Sequence, residues 1–195
     1  MRMQFALALL LAAPLVLAAE GNPTAGAESA KVCFLCHGKD GESHTSAIPK
    51  LAGQHAPYIV RQLTQYRDHK RPDGIMEQIA SKFTAEQDMK NVAAYFAGKP
   101  RVKGVAAKPE AAALGKESYA KFQCAQCHGE EGLGRADTTP PTPLLAGQNK
   151  NYLIKRLTDF QNGQAADDAA NPMPGVVKQM NIVDIFAVAE YLSGL

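Results

Sequence analysis

The segment Cys33-Phe34-Leu35-Cys36-His37 returns 91 positions later as Cys124-Ala125-Gln126-Cys127-His128, and the two copies use all four cysteines of the 195-residue chain. Cysteines spent in such short pairs cannot staple distant segments, so the fold must be held by its core or by something bound. Three chemistries use a Cys-x-x-Cys pair. Zinc ribbons bring their pairs from about 15–20 residues apart, whereas these lie in separate stretches of the chain. A thioredoxin-like dithiol sits near a strand–helix–strand pattern, and no run alternates long enough here to make a strand. The third chemistry uses every residue of the motif. Two thiols add to the two vinyl groups of haem, and the following histidine supplies an axial imidazole to iron. Cys-x-x-Cys-His is the signature of c-type haem attachment. It predicts two haem c groups, with Cys33, Cys36, Cys124 and Cys127 as thioethers and His37 and His128 as axial ligands.

The chain repeats beyond the motif. Leu51-Ala52-Gly53-Gln54 matches Leu145-Ala146-Gly147-Gln148, Tyr58 matches Tyr152, and Val92–Gly98 (VAAYFAG) matches Val188–Gly194 (VAEYLSG). Such self-similarity marks tandem homologous units. Each half reads as three helical stretches. The first covers 23–34 in one copy and 111–125 in the other. The second shows helical spacing, with Ile59, Val60, Leu63 and Tyr66 matched by Leu153, Ile154, Leu157 and Phe160. The third opens on a capping box at Thr84–Gln87 in the first copy and on Asn181 in the second, closing at Gly98 and Gly194. The expected fold is all-α, with domains at 20–98 and 110–195 and a linker at 99–109. Gly41 and Gly132 are expected to permit tight turns.

The whole chain has an ordinary globular composition, with 21% of residues charged and a net charge of +2. That balance excludes the strongly basic footprint of a nucleic-acid binder. Residues 1–19 run from Arg2 through an apolar stretch to Ala18 and Ala19, the layout of a secretory leader cleaved after one of those alanines. The stretch is short for a membrane span, which needs roughly 20 apolar residues. The mature protein is therefore expected in the periplasm without a transmembrane segment.

The sixth iron ligand decides the chemistry. An open position lets haem bind small molecules, whereas methionine opposite histidine makes an electron carrier of raised potential. The second half has no histidine besides His128, and its methionines are Met173 and Met180. Met173 sits in Asn-Pro-Met-Pro-Gly, read as a rigid extended loop, and aligns with Met76 when both are counted back from Tyr95 and Tyr191. Met180 and Met89 have no counterpart. Met76 and Met173 are thus the expected sixth ligands, and His44, His55 and His69 are left to surface or hydrogen-bonding duty. Tyr58, Tyr152, Gln54, Gln148 and Arg71 are candidate donors to the haem propionates.

With these residues in place, the chain resembles the dihaem cytochromes c4, exported proteins of two fused class I cytochrome c domains. The resemblance rests on the two Cys-x-x-Cys-His-Gly motifs, the repeated Leu-Ala-Gly-Gln, and the methionines followed by Val-Ala-x-Tyr helices. It implies a pseudo-two-fold pair of domains, each wrapped around one haem, with propionate edges facing across the interface. It also implies that the first and last helices of each domain cross with Gly26 and Gly115 against Tyr95 and Tyr191. The implied function is electron transfer from a quinol-oxidising cytochrome bc complex to a terminal haem–copper oxidase, through transient contacts and with possible loose membrane association. The rival readings are a dihaem enzyme, such as a peroxidase or thiosulfate dehydrogenase, and a cytochrome subunit of a dedicated dehydrogenase.

Overall fold

The computed structural model describes residues 20–165 and 170–195, so the leader expected over 1–19 lies outside the described residues. In the first half, α1 (Pro23–Ser29) runs through a 3-10 turn (Ala30–Cys33) into α2 (Phe34–His37), followed by α3 (Ala56–Arg67), α4 (Gly74–Ala80) and α5 (Glu86–Ala97). The second half repeats the order with α6 (Pro109–Lys121), α7 (Ala125–His128), α8 (Lys150–Gln161), α9 (Met173–Val177) and α10 (Ile182–Ser193). No strand forms among the described residues; one isolated bridge joins Arg135 and Thr142.

Each half closes its own core. Ile59, Leu63 and Tyr66 of α3 pack on Met89, Val92 and Phe96 of α5. Leu153 of α8 packs with Val177, Met180, Ile185, Val188 and Leu192. These are the spacings of three and four that put side chains on one helical face.

The structure departs from the expected elements at five places. The single helix expected over 23–34 breaks, because the tighter 3-10 turn at Ala30–Cys33 redirects the chain into α2. The one expected over 111–125 ends at Lys121, and a turn with Gln123 at φ +55° leads into α7. The capping box at Thr84 does not form: Ala85 takes the cap position of α5 in extended conformation, with no side-chain cap. Short helices α4 and α9 carry Met76 and Met173, so each half has five α-helices rather than three. Met173 consequently stands in a helical turn, not an extended loop. Pro172 and Pro174 have the fixed φ that a first helical turn accepts, and Asn171 Oδ1 takes the Met173 amide at 3.1 Å.

Where α1 crosses α5, a Cβ at Gly26 would stand 2.0 Å from the Asn91 carbonyl oxygen and 3.1 Å from Tyr95 Cβ. Where α6 crosses α10, one at Gly115 would stand 2.2 Å from the Ala187 carbonyl oxygen and 2.4 Å from Tyr191 Cβ. Both crossings implied by the resemblance are present. Gly41 and Gly132 adopt φ of +75° and +65°, and each carbonyl accepts two amides of its own half's Leu-Ala-Gly-Gln turn. The Leu51 and Leu145 bonds are both 2.7 Å. These turns are then tied to the last helices, through Gly53 N–H to Phe96 C=O and Gly147 N–H to Leu192 C=O.

Asn181 caps α10 as expected, in a full capping box with Asp184. Asp184 is 8% exposed and also accepts from Ser118 and Lys121 of α6. Burial raises its pKa, but the Asn181 amide, Lys121 and Ser118 outweigh that and hold the carboxyl below its ordinary value. A depressed carboxylate adds stability above the ordinary unfolded pKa and loses it as pH falls through the folded value. Replacing Asp184 by alanine is expected to cost about 1–2 kcal/mol. Urea unfolding at neutral pH checks this, and the difference from wild type should shrink in acid.

Candidate cofactor sites

Cys33, Cys36, His37 and Met76 line one cavity of about 420 Å³, walled by Ile59, Leu63, Ile79, Val92 and Phe96. The volume suits a large flat ligand and the wall is mostly apolar with a few polar groups, the usual character of a cofactor pocket. His37 is 6% exposed, and its Nδ1 lies 2.9 Å from the Pro49 carbonyl oxygen. A carbonyl only accepts, so Nδ1 carries the proton and Nε2 is left as the free lone pair. Burial lowers the His37 pKa against the opposing pull of Pro49. The neutral imidazole that results is the form that binds metal.

The second half repeats this construction. His128 is 6% exposed, its Nδ1 stands 3.3 Å from the Pro143 carbonyl oxygen, and burial again lowers its pKa. Cys124 and Met173 both pack at the edge of the second core. In each pair the first thiol is pushed up to about 11, chiefly by burial, with the second thiol adding to it. Such thiols stay protonated at neutral pH, unlike the acidic thiolates of redox dithiols. Among the described residues no three His, Cys, Asp or Glu side chains form a metal cage, so the two pairs do not assemble a shared zinc site.

The other sulfurs and imidazoles have different work. Met89 is fully buried and Met180 is 4% exposed, both in the cores. His44 is exposed, His69 pairs with Glu77 at 2.8 Å, and His55 Nε2 meets the Leu133 carbonyl of the other half at 2.9 Å.

The cytochrome c family profile matches residues 24–98 and again 112–195. Cytochrome c4 of Pseudomonas aeruginosa is 34% identical over 185 residues, covering 91% of this chain and 90% of the relative. The chain belongs to the cytochrome c4 family. The crystal structure of reduced recombinant cytochrome c4 from Pseudomonas stutzeri superposes with a TM-score of 0.76 at 31% identity, covering 90% of this chain and 99% of that one. A thiosulfate dehydrogenase electron acceptor of Stutzerimonas stutzeri is 30% identical, covering 86% of this chain and 80% of the relative. As a cytochrome c4 relative, the protein is a dihaem electron-transfer cytochrome with two covalently bound haem c groups. The residues present fit such a group, since the attachment motif, a neutral imidazole and a thioether line one apolar cavity.

In this cytochrome c4 relative the two halves also meet directly. Gln54, 4% exposed, takes the Leu144 amide on Oε1 and gives Nε2–H to the Leu144 carbonyl, both at 2.9 Å. Gln148, 6% exposed, does the same to Lys50, at 2.8 and 2.9 Å. Lys50 and Leu144 are equivalent positions, each just before its Leu-Ala-Gly-Gln turn, so the exchange expresses the two-fold relation of the halves. Each Oε1 also takes the next residue's N–H, which fills its acceptor sites, and the clasp commits one N–H of each amide. Besides lining the cavity where donors to the propionates are expected, these glutamines clasp the two domains. Around the clasp, Asn149 Nδ2 reaches the Thr45 and Ile48 carbonyls, Asn151 bonds Ser46, and Lys50 Nζ bonds the Gly147 carbonyl.

The other three candidate donors do converge at this boundary. Arg71 is 5% exposed and lies 4.5 Å over the Tyr66 ring, bonded to Gln62 and to the Tyr152 hydroxyl of the other half. Arg156 mirrors it 4.7 Å over Phe160, the residue equivalent to Tyr66. Tyr58 is pushed up to about 12, chiefly by burial. Burial also acts to raise Tyr152, but Arg71 and Arg156 outweigh it and hold that phenol below its ordinary value. All four side chains line the cavity.

Proposed function

We propose that Cys33 and Cys36 attach the first haem between His37 and Met76, and that Cys124 and Cys127 attach the second between His128 and Met173. The observation that carries this is the convergence of Cys33, Cys36, His37 and Met76 on one apolar cavity. Each haem, when bound, supplies a site for one electron. The chain's own residues do the rest. Pro49 and Pro143 fix the imidazole tautomers, Arg71, Tyr58 and Tyr152 offer positive charge and donors to the propionates, and the apolar walls exclude water. A thioether ligand favours the reduced state and raises the potential. The domains are read as 20–98 and 110–195 joined by 99–109, with a leader cleaved near Ala18 or Ala19 and the mature protein in the periplasm. There it carries electrons from a quinol-oxidising cytochrome bc complex to a terminal haem–copper oxidase. Among the described residues no helix is long and apolar enough to cross a membrane.

An optical redox titration that follows the methionine-sulfur-to-iron band tests the ligand set. Wild type should show two such contributions. Met173→Ala is expected to remove one, while Met180→Ala leaves both and instead weakens the second core by about 2–5 kcal/mol. Loss of a band in Met180→Ala with retention in Met173→Ala would sink the assignment. A second reading is favoured by the relative named as an acceptor for thiosulfate dehydrogenase: the donor is such a dehydrogenase rather than a bc complex. Stopped-flow reduction by each purified donor separates the two. Rapid stoichiometric carbon monoxide binding at one haem of the isolated protein would instead favour an enzyme.

A further inference from the structure

The clasp and the imidazole supports share the same atoms. Lys50 N–H and Pro49 C=O belong to one peptide group. Its oxygen faces His37 Nδ1 at 2.9 Å, and its N–H donates to Gln148 Oε1 at 2.8 Å. The peptide joining Pro143 and Leu144 does the same for His128, at 3.3 Å, and Gln54, at 2.9 Å. In each case a single amide plane connects the imidazole of one domain to a glutamine of the other. We propose that Gln148 tunes His37 and Gln54 tunes His128, so that each domain sets the reduction potential of the haem in the opposite domain. The proposal rests on the reading of His37 and His128 as iron ligands.

The two bonds on each peptide form a hydrogen-bond chain from glutamine to imidazole. An acceptor on a peptide N–H polarises the group and makes its carbonyl a stronger acceptor, by about 10–30% per bond. A stronger acceptor draws the Nδ1 proton and makes the imidazole a more basic ligand, as outer-shell partners of metal-bound histidines do. A more basic ligand favours ferric iron and lowers the potential. Removing the glutamine oxygen should therefore raise the potential of the haem across the boundary. Both relays are dry, because the glutamines and the histidines are at most 6% exposed. The first has shorter bonds at both steps, so its response should be the larger. The two glutamines are positioning residues, acting on iron only through another domain's peptide and imidazole.

Substitution by methionine keeps length and volume and deletes the amide. Gln148→Met is expected to favour reduction of the first haem about two- to fivefold, roughly 20–40 mV for a one-electron couple, leaving the second within a smaller shift. Gln54→Met should do the reverse. In the ferrous protein, NMR reads the relay directly: exchange of the His37 Nδ1 proton should quicken at least tenfold in Gln148→Met and not in Gln54→Met. Gln148→Glu keeps an acceptor on the Lys50 amide and should keep the slow exchange. Asn151→Ala removes a bond between the halves that is off the relay, to Ser46 at 2.9 Å, and should move neither imidazole. An uncrossed or equal response of the two haems, fast exchange in Gln148→Glu, or an Asn151→Ala effect as large as that of Gln148→Met would each overturn the relay. Absence of iron-bound imidazole signals in the wild type would overturn the ligand reading and the relay with it. Normal wild-type signals without a crossed response overturn the relay alone.

Discussion

Cys33→Ser combined with Cys36→Ser is expected to unfold the first half of the protein while the second half keeps its core. On the proposed attachment, this variant cannot hold haem covalently, and the site must then survive as about 420 Å³ of unfilled space. Were that space sealed and dry, about 24 cal/mol per Å³ would set an upper bound on the order of 10 kcal/mol. Water entering the cavity replaces the void by wetted apolar wall, at roughly 25 cal/mol per Å². Either penalty is comparable with the whole stability of a typical domain, about 5–15 kcal/mol, and a unit of this size stands at the low end. Ile59, Leu63, Val92 and Phe96 belong to the core that joins α3 to α5, so they cannot move in to fill the space without giving up those contacts. Hydrogen exchange with mass spectrometry gives the test. Amides of α3 and α5 should lose their protection, those of α8 and α10 should keep theirs, and haem content should fall to half. Intact protection of α3 and α5 in the haem-free half would show that the domain folds without its ligand.

Much of this architecture is legible in the sequence, for reasons that differ from residue to residue. The Cys-x-x-Cys-His motifs, the helical faces of α3 and α8 and the Asn181 cap are local patterns, each complete within a few turns of chain. Gly26 and Gly115 are not local, and they become interpretable only through the resemblance to a known family. The glutamines show the limit. Their repetition is plain in the sequence, and so is their nearness to each haem motif, which suggested propionate donors. What the sequence does not show is their clasp, whose partner lies 90 or more positions away, presented as backbone and therefore without any side-chain signature. A capping pattern misled at Thr84 because Ala85 occupies the extended cap position instead. The Asn-Pro-Met-Pro-Gly segment read as extended because prolines end helices, yet two prolines at a first turn begin one.

Gly115→Val should lower the stability of the second half by several kcal/mol, and its consequence should reach the first haem. Valine would place a Cβ 2.2 Å from the Ala187 carbonyl oxygen and 2.4 Å from Tyr191 Cβ, against backbone that no rotamer change can move. Overpacking commonly costs 1–3 kcal/mol and more against rigid atoms, so about 4 kcal/mol is a reasonable expectation. With 1 kcal/mol worth about 4–8 °C in a domain of this size, the second half should melt 15 °C or more lower. α6 cannot simply step away, because Ser118 and Lys121 bind Asp184 one turn further along the same crossing. The strain therefore falls on α10, whose Leu192 carbonyl holds the Gly147 amide at 2.8 Å. Gly147 is followed by Gln148, the clasp on Lys50. Displacing α10 should thus loosen Gln148 and raise the potential of the first haem before the second domain melts. Gly26→Val, at the matching crossing with Asn91 2.0 Å away, acts through Phe96, Gly53 and Gln54 on the second haem. Redox titration well below the melting temperature distinguishes the two. A potential shift confined to the mutated domain would mean that the helix crossings and the clasp are mechanically independent.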